Sequence, residues 1–199
     1  MSFWKSLFGK PDKPVSPKAF EKDISLPLNA SSVPTKEAIA GRLRDSGAFQ
    51  NDAIHWIAEM LHQQAAKGAS WDAAVKTVIL AGENAPADKK GYVGASKRKR
   101  IGLKFLDAMS GKDFSVASRA VFLAIQGASS KAKREFSLAQ MKEAGITHVR
   151  LISSRDERDC SVVRALEGEV MQIDDAKLPL PGCDAEYCRC TFAPVIEFD

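Results

Sequence analysis

All four cysteines of this chain stand near its C-terminal end, at Cys160, Cys183, Cys188 and Cys190. The spacing is C-x22-C-x4-C-x-C. Four sulfurs in one segment can fill a tetrahedral metal site. The sequence between them is thin in apolar residues. It offers charged turns, one apolar helical turn at Val162 to Leu166, and a Pro-Gly corner at Pro179 to Gly182. A unit this small buries too little surface to hold itself easily, so a staple would help it fold. Cys188 and Cys190 are two apart, so in an extended strand both sulfurs lie on one side and can reach one ion. The expectation is a structural zinc held by Cys160, Cys183, Cys188 and Cys190, with free or buried thiols and disulfides as the alternatives. A tetrathiolate carries excess negative charge, which Arg158, Arg164 or Arg189 could offset. No Glu or His stands at a spacing that suggests a catalytic zinc.

The rest of the composition narrows the class. Hydrophobic residues make up 45% and charged residues 27%, as in an ordinary globular protein. No apolar run approaches a membrane span. The opening MSFWKSLFGK lacks a continuous apolar region and a small-residue cleavage site, so it does not read as a signal peptide. The expected location is therefore the cytoplasm, where thiols stay reduced, and this favours metal over disulfide. Charge is unevenly distributed. Residues 151–199 carry five Lys/Arg against eleven Asp/Glu, whereas residues 1–150 carry 24 against 14. A basic body with an acidic tail suggests an acidic or polyanionic partner, although solubility would also be served.

Periodicity and punctuation predict an α+β fold: a helical N-terminal part of about six helices with a small cysteine-rich antiparallel β unit at the C-terminus. Phe3, Trp4, Leu7 and Phe8 form a short apolar face that either tucks onto the core or acts as a hook for a partner. Pro11, Pro14, Pro17, Pro27 and Pro34 make residues 10–34 read as an extended tether, so residues 1–34 are hook and tether. Thr35 caps a helix to about Asp45, stopped by Gly47. Asn51 or Asp52 caps a second, with Ile54, Ile57, Ala58 and Leu61 inward. Ser70 caps a third. Residues 83–95 read as an exposed loop. Ser96 opens a fourth helix running to Gly111. Ser115 to Gln126 is a fifth, and Ser129 or Ser130 caps a sixth ending at Gly145. Strands are expected at 149–152, 169–173 and 191–198. The predicted division is 35–128 for the helical domain and 129–199 for the C-terminal domain.

The C-terminal order is also familiar. Asp156-x-Arg158-x-Cys160, then Ala165-Leu166-Glu167-Gly168, a short strand, Pro-Gly and Cys188-Arg189-Cys190 resemble the C-terminal domain of the phage Mu F-like head morphogenesis family. The resemblance reaches upstream to about Ser129, roughly the last third of the chain. Relatives often carry a second Cys or His three residues after the first Cys; here that residue is Val163. The resemblance implies a phage or prophage minor head protein, a structural adaptor without enzymatic activity. Its expected partners are portal or capsid proteins, and its expected location is cytoplasmic or in the virion. Asp156 and Arg158 are expected to form a corner holding Cys160, with Arg189 in a structural role.

Two other constellations bear weighing. Lys97, Arg98, Lys99 and Arg100, with Lys89, Lys90 and Lys104, are the densest basic cluster, a candidate for non-specific contact with DNA phosphates. Four consecutive positions wrap around a helix, and no aromatic platform accompanies them, so single-strand stacking is not expected. His55, Glu59 and His62 share one helix face but flank its apolar stripe, which reads as a boundary face. No phosphate loop, nucleophile elbow or dinucleotide fingerprint occurs. Two alternatives to the head-protein reading remain: a bacterial nucleic-acid-binding module using the basic patch, and a toxin-associated domain without an evident active site.

Overall fold

The computed structural model describes residues 32–111, 113–155, 157, 159–183 and 189–196. The expected N-terminal hook and most of the tether lie outside them. The fold is α+β, with two cores strung on one long helix. The first core gathers α1 (Lys36–Asp45), α2 (Asn51–Ala66), α3 (Trp71–Ile79), α5 (Leu103–Ala108) and the first half of α6 (Phe114–Glu143); a short α4 (Ala87–Tyr92) comes between α3 and α5 in the chain and gives that core no apolar residue. The second gathers the end of α6, β1 (His148–Ile152), α7 (Ser161–Leu166), β2 (Val170–Gln172) and β3 (Thr191–Pro194).

Local chemistry sets the first three helices. The Thr35 hydroxyl accepts from the Ala38 amide at 3.2 Å and caps α1. Glu37 in the first turn and Arg42 and Arg44 in the last complement the helix dipole. Gly47, at φ 62°, ends it in the left-handed turn that only glycine adopts without strain. Ile39 and Leu43 are fully buried against α2, whose inward stripe is Ala53, Ile54, Ile57, Ala58 and Leu61. Gln50, not Asn51 or Asp52, is the N-cap of α2. It makes no side-chain cap bond, and its side-chain amide instead donates to the Asp107 carbonyl at 3.1 Å. Ser70 caps α3 as expected, accepting from Ala73.

Three expectations need correction. The presumed loop 83–95 contains a helix, α4. The presumed helix from Ser96 does not form; α5 begins only at Leu103, and Lys97 to Arg100 sit in the turn before it. Gly102 explains the shift. A side chain there would lie 1.9 Å from the Ala81 carbonyl oxygen, and its amide donates to Ile79 at 2.8 Å. The chain must pass α3 backbone to backbone at this point, so residues 84 and 101–102 run extended and paired instead of helical. Finally, the fifth and sixth helices are one. Ser129 is buried inside α6 rather than capping it. Gly127 costs α6 about 1 kcal/mol relative to alanine but does not break it. It leaves room for the guanidinium of Arg42, which would lie 2.4 Å from an added Cβ.

Consequently residue 128 marks no break in the backbone. Phe114, Ala117, Val121, Ala124, Ile125 and Ala128 serve the first core, while Leu138 and Met141 pack on the second. Gly145, at φ 79°, ends the helix. The sheet is antiparallel in the order β2-β1-β3, with Arg150 opposite both Val170 and Ala193. The period of two puts Val149 and Leu151 fully inside and Arg150 outside. Expected and observed strands agree to within a few residues, the third being shorter, Thr191–Pro194.

Candidate functional site

The small core is built around the cysteines. Cys160 is 5% exposed and Cys190 3% exposed, both in one cluster with Val149, Leu151, Val163 and Phe192; Cys183 packs against it. Residues far apart in sequence thus share one apolar cluster. Cys160 is the N-cap of α7, and its Sγ accepts from the Val163 amide at 3.4 Å. Val163 itself is fully buried and is a contact of the small core. Cys188 lies outside the described residues. Among the described residues no three His, Cys, Asp or Glu side chains form a group able to hold a metal. The three described cysteines share a core without making a ligand set by themselves, so a zinc site would need the sulfur of Cys188.

The corner before Cys160 is described in part. Asp156 and Arg158 lie outside the described residues. Neighbouring residues hold the corner. Arg155 adopts φ 55°, unusual for a residue with a side chain, and its Nε donates to Glu167 at 2.6 Å. The Ser154 amide donates to the buried carboxylate of Asp159 at 3.3 Å. Arg164 donates to the Glu157 carbonyl at 2.7 Å. The hydrogen bond from Arg155, then one from Ser153, holds the Glu167 carboxyl below its ordinary range. Glu167 stood in the motif that carried the resemblance. Arg155 gave no signal, because residue type does not announce a left-handed backbone. Arg189 is half-buried beside Cys190 in the chain.

The basic cluster comes apart in three dimensions. Lys97, Arg98, Lys99 and Arg100 are all exposed on one turn. Lys99 lies over the Phe114 ring, 5.0 Å from its centroid. Lys104 lies over Trp56 at 4.5 Å. Lys89 pairs with Asp107 at 3.2 Å. Lys90 is buried, 3% exposed, with its ammonium on Asn84 at 2.9 Å, so it belongs to the fold and not to a patch. Asn84 also accepts from the Ile101 amide, which ties α4 to the basic turn.

The face of α2 with His55, Glu59 and His62 binds its neighbours. Glu59 pairs with Lys36 of α1 at 2.7 Å and accepts from Gln63. These bonds hold its carboxyl below the usual range. A ring nitrogen of His62 sits 2.9 Å from the Pro34 carbonyl, and His55 is exposed. This is a boundary face that fastens the start of α1.

Among the described residues no helix is long and apolar enough to cross a membrane. No protein-family model, curated protein or solved structure matches the chain.

Proposed function

We propose that this protein is a minor head protein of a tailed phage or prophage, an adaptor that contacts the portal or capsid during head assembly. One observation supports the reading above others. The residues that carry the resemblance at its two ends, Cys160 and Cys190, are buried in the same small core, at the end of a helix that begins in a separate and larger one. The chain is basic over residues 1–150 and acidic over residues 151–199, which suits bridging two partners. Its work in this reading is contact, not reaction. The test is co-expression with the portal and capsid proteins encoded beside it. A stoichiometric complex is expected. Absence of portal or terminase genes from the neighbourhood, together with no complex, rejects the reading.

A second reading has an observation of its own. Four adjacent cationic side chains are exposed on the 97–100 turn. They suit weak, sequence-independent binding of duplex DNA, with affinity falling steeply as salt rises. Charge reversal at Lys97, Arg98, Lys99 and Arg100 should abolish it. Binding unchanged by those substitutions, or undetectable at low salt, removes this reading.

A further inference from the structure

The C-terminal end of α3 and the basic turn enclose an open groove of about 630 Å³. Its floor is Val75, Ile79 and Leu80; its rim carries Lys76, Lys99 and Arg100, with one opposing charge at Asp72. Apolar floor and cationic rim together select a short segment that alternates apolar and acidic residues. This chain carries such a segment after β3: Val195, Ile196, Glu197, Phe198 and Asp199. Ile196 is 56% exposed, high for an isoleucine.

These residues of the same molecule do not reach its groove. Lys99 places the groove beside Phe114, at the start of α6. The tail leaves from the second core, which packs on Leu138 and Met141 near the end of that helix. Phe114 and Leu138 are separated along α6 by about 36 Å, at the helical rise per residue. The Val195 amide is still bonded to His148, at 3.0 Å. Residues 196–199 extend by about 14 Å at most. We infer that the groove receives the acidic tail of a second copy of this chain. Groove and tail are different surfaces, so the contact is head-to-tail. Repeated, it gives a ring or a filament and not a two-fold dimer. The inference stands whether or not the head-protein reading holds, since it concerns only copies of this chain.

Sedimentation of the full-length protein across a concentration and salt series reads the association, which should weaken as salt rises. A groove variant, Leu80→Asp with Arg100→Glu, and a tail variant, Ile196→Asp with Phe198→Asp, should each be monomeric. Mixed, they should form a one-to-one dimer that grows no further, because one intact groove meets one intact tail. A labelled peptide of residues 191–199 should bind the wild-type protein and bind the Lys76→Glu, Arg100→Glu variant about tenfold more weakly or worse. The peptide assay does not depend on how either variant folds, because a scrambled peptide on wild-type protein serves as its control. A monomeric wild-type protein, a mixture that stays monomeric, association untouched by both variants, or a scrambled peptide binding equally well would each overturn the inference.

Discussion

The two cores obey different economies. Among the described residues the first buries 27 apolar residues, from α1, α2, α3, α5, α6 and the segments that join them, and its largest fully buried side chains include Phe105, Ile39, Leu43, Ile57, Leu61 and Ile101. Three aromatic rings there, Phe49, Phe105 and Phe114, meet edge to face at 5.8 and 5.9 Å. The second core buries nine residues, two of them cysteines, beneath three short strands and a six-residue helix. The first can lose a contact and remain a core. The second is near the lower limit for independent stability and depends on α6 as a wall and on polar ties such as Arg155 to Glu167. The difference teaches that opposite ends of one continuous helix can differ widely in local stability.

The largest effect expected is in the first core. Gly102→Ala puts a methyl group 1.9 Å from a backbone oxygen that cannot swing aside, and should cost about 3 kcal/mol or more. Denaturant melts read this. A cost under about 0.5 kcal/mol would mean the passage of residues 79–81 against residue 102 is looser than described.

Next comes a matched pair. Leu61→Ala and Leu151→Ala both open a cavity at a fully buried site, worth about 2–5 kcal/mol each. The consequences should differ. Leu61→Ala should lower the main melting transition. Leu151→Ala should release β1 to β3 while α1 to α5 keep their amide protection in hydrogen exchange. If both variants lose protection everywhere together, the two cores are one cooperative unit and the comparison fails.

Cys160→Ser should cost the small unit about 1–2 kcal/mol. The hydroxyl can still cap α7 but is less at home in an apolar core. Zinc sharpens this prediction. If Cys160, Cys183, Cys188 and Cys190 hold an ion, protein purified without added metal should contain one zinc per chain, and the substitution should lower that content. Clearly substoichiometric zinc with freely titrating thiols removes the site; thiols oxidised without metal favour disulfides.

Gly127→Ala is the counterpart of Gly102→Ala. The added Cβ meets the far end of Arg42, a flexible side chain, and alanine is worth about 1 kcal/mol to a helix interior. Loss of guanidinium packing offsets that gain, and the net change should stay within about 1 kcal/mol. A large loss would show that the Arg42 seat matters more to the first core than its contacts suggest.

The smallest effect is the response to acid. Hydrogen bonds from the Ser115 hydroxyl and from the Val116 and Ser115 amides hold Asp113 below its ordinary 3.8. Glu59 and Glu167 are held below their ordinary 4.5 by Lys36 and Arg155, respectively. Folded values below unfolded ones mean these carboxylates stabilise the fold above the unfolded values. That contribution disappears as pH falls through the folded values. Melts should therefore be flat above about pH 5 and decline below about pH 4. Exchange in acid should open β1 to β3 before α1 to α5. The reverse order would contradict the ranking of the two cores.

Much of this was legible in the chain. Thr35 and Ser70, with Gly47 and Gly145, marked helix ends because caps and left-handed turns are local chemistry that a few neighbouring residues settle. The stripe Ile54, Ile57, Ala58, Leu61 gave α2 its buried face, and the alternation at Val149 and Leu151 gave β1 its orientation. Cys160 and Cys190 lie in one buried cluster, but whether they share an ion is a question for the zinc measurement. What the tertiary structure alone decided lies at close approaches between distant segments. Gly102 gave way to the backbone of Ala81, and a pattern suited to a helix from Ser96 became an extended passage. Gly127 stayed helical because it has α1 to receive, not a turn to make. Lys90 went inward to Asn84 while its neighbours stayed out. Arg155 took a left-handed backbone with its side chain on Glu167. Periodicity records which side of an element is apolar. It does not record which other group will come within a few ångströms of that side: the Ala81 backbone at Gly102, and the side chains of Arg42, Asn84 and Glu167 at Gly127, Lys90 and Arg155.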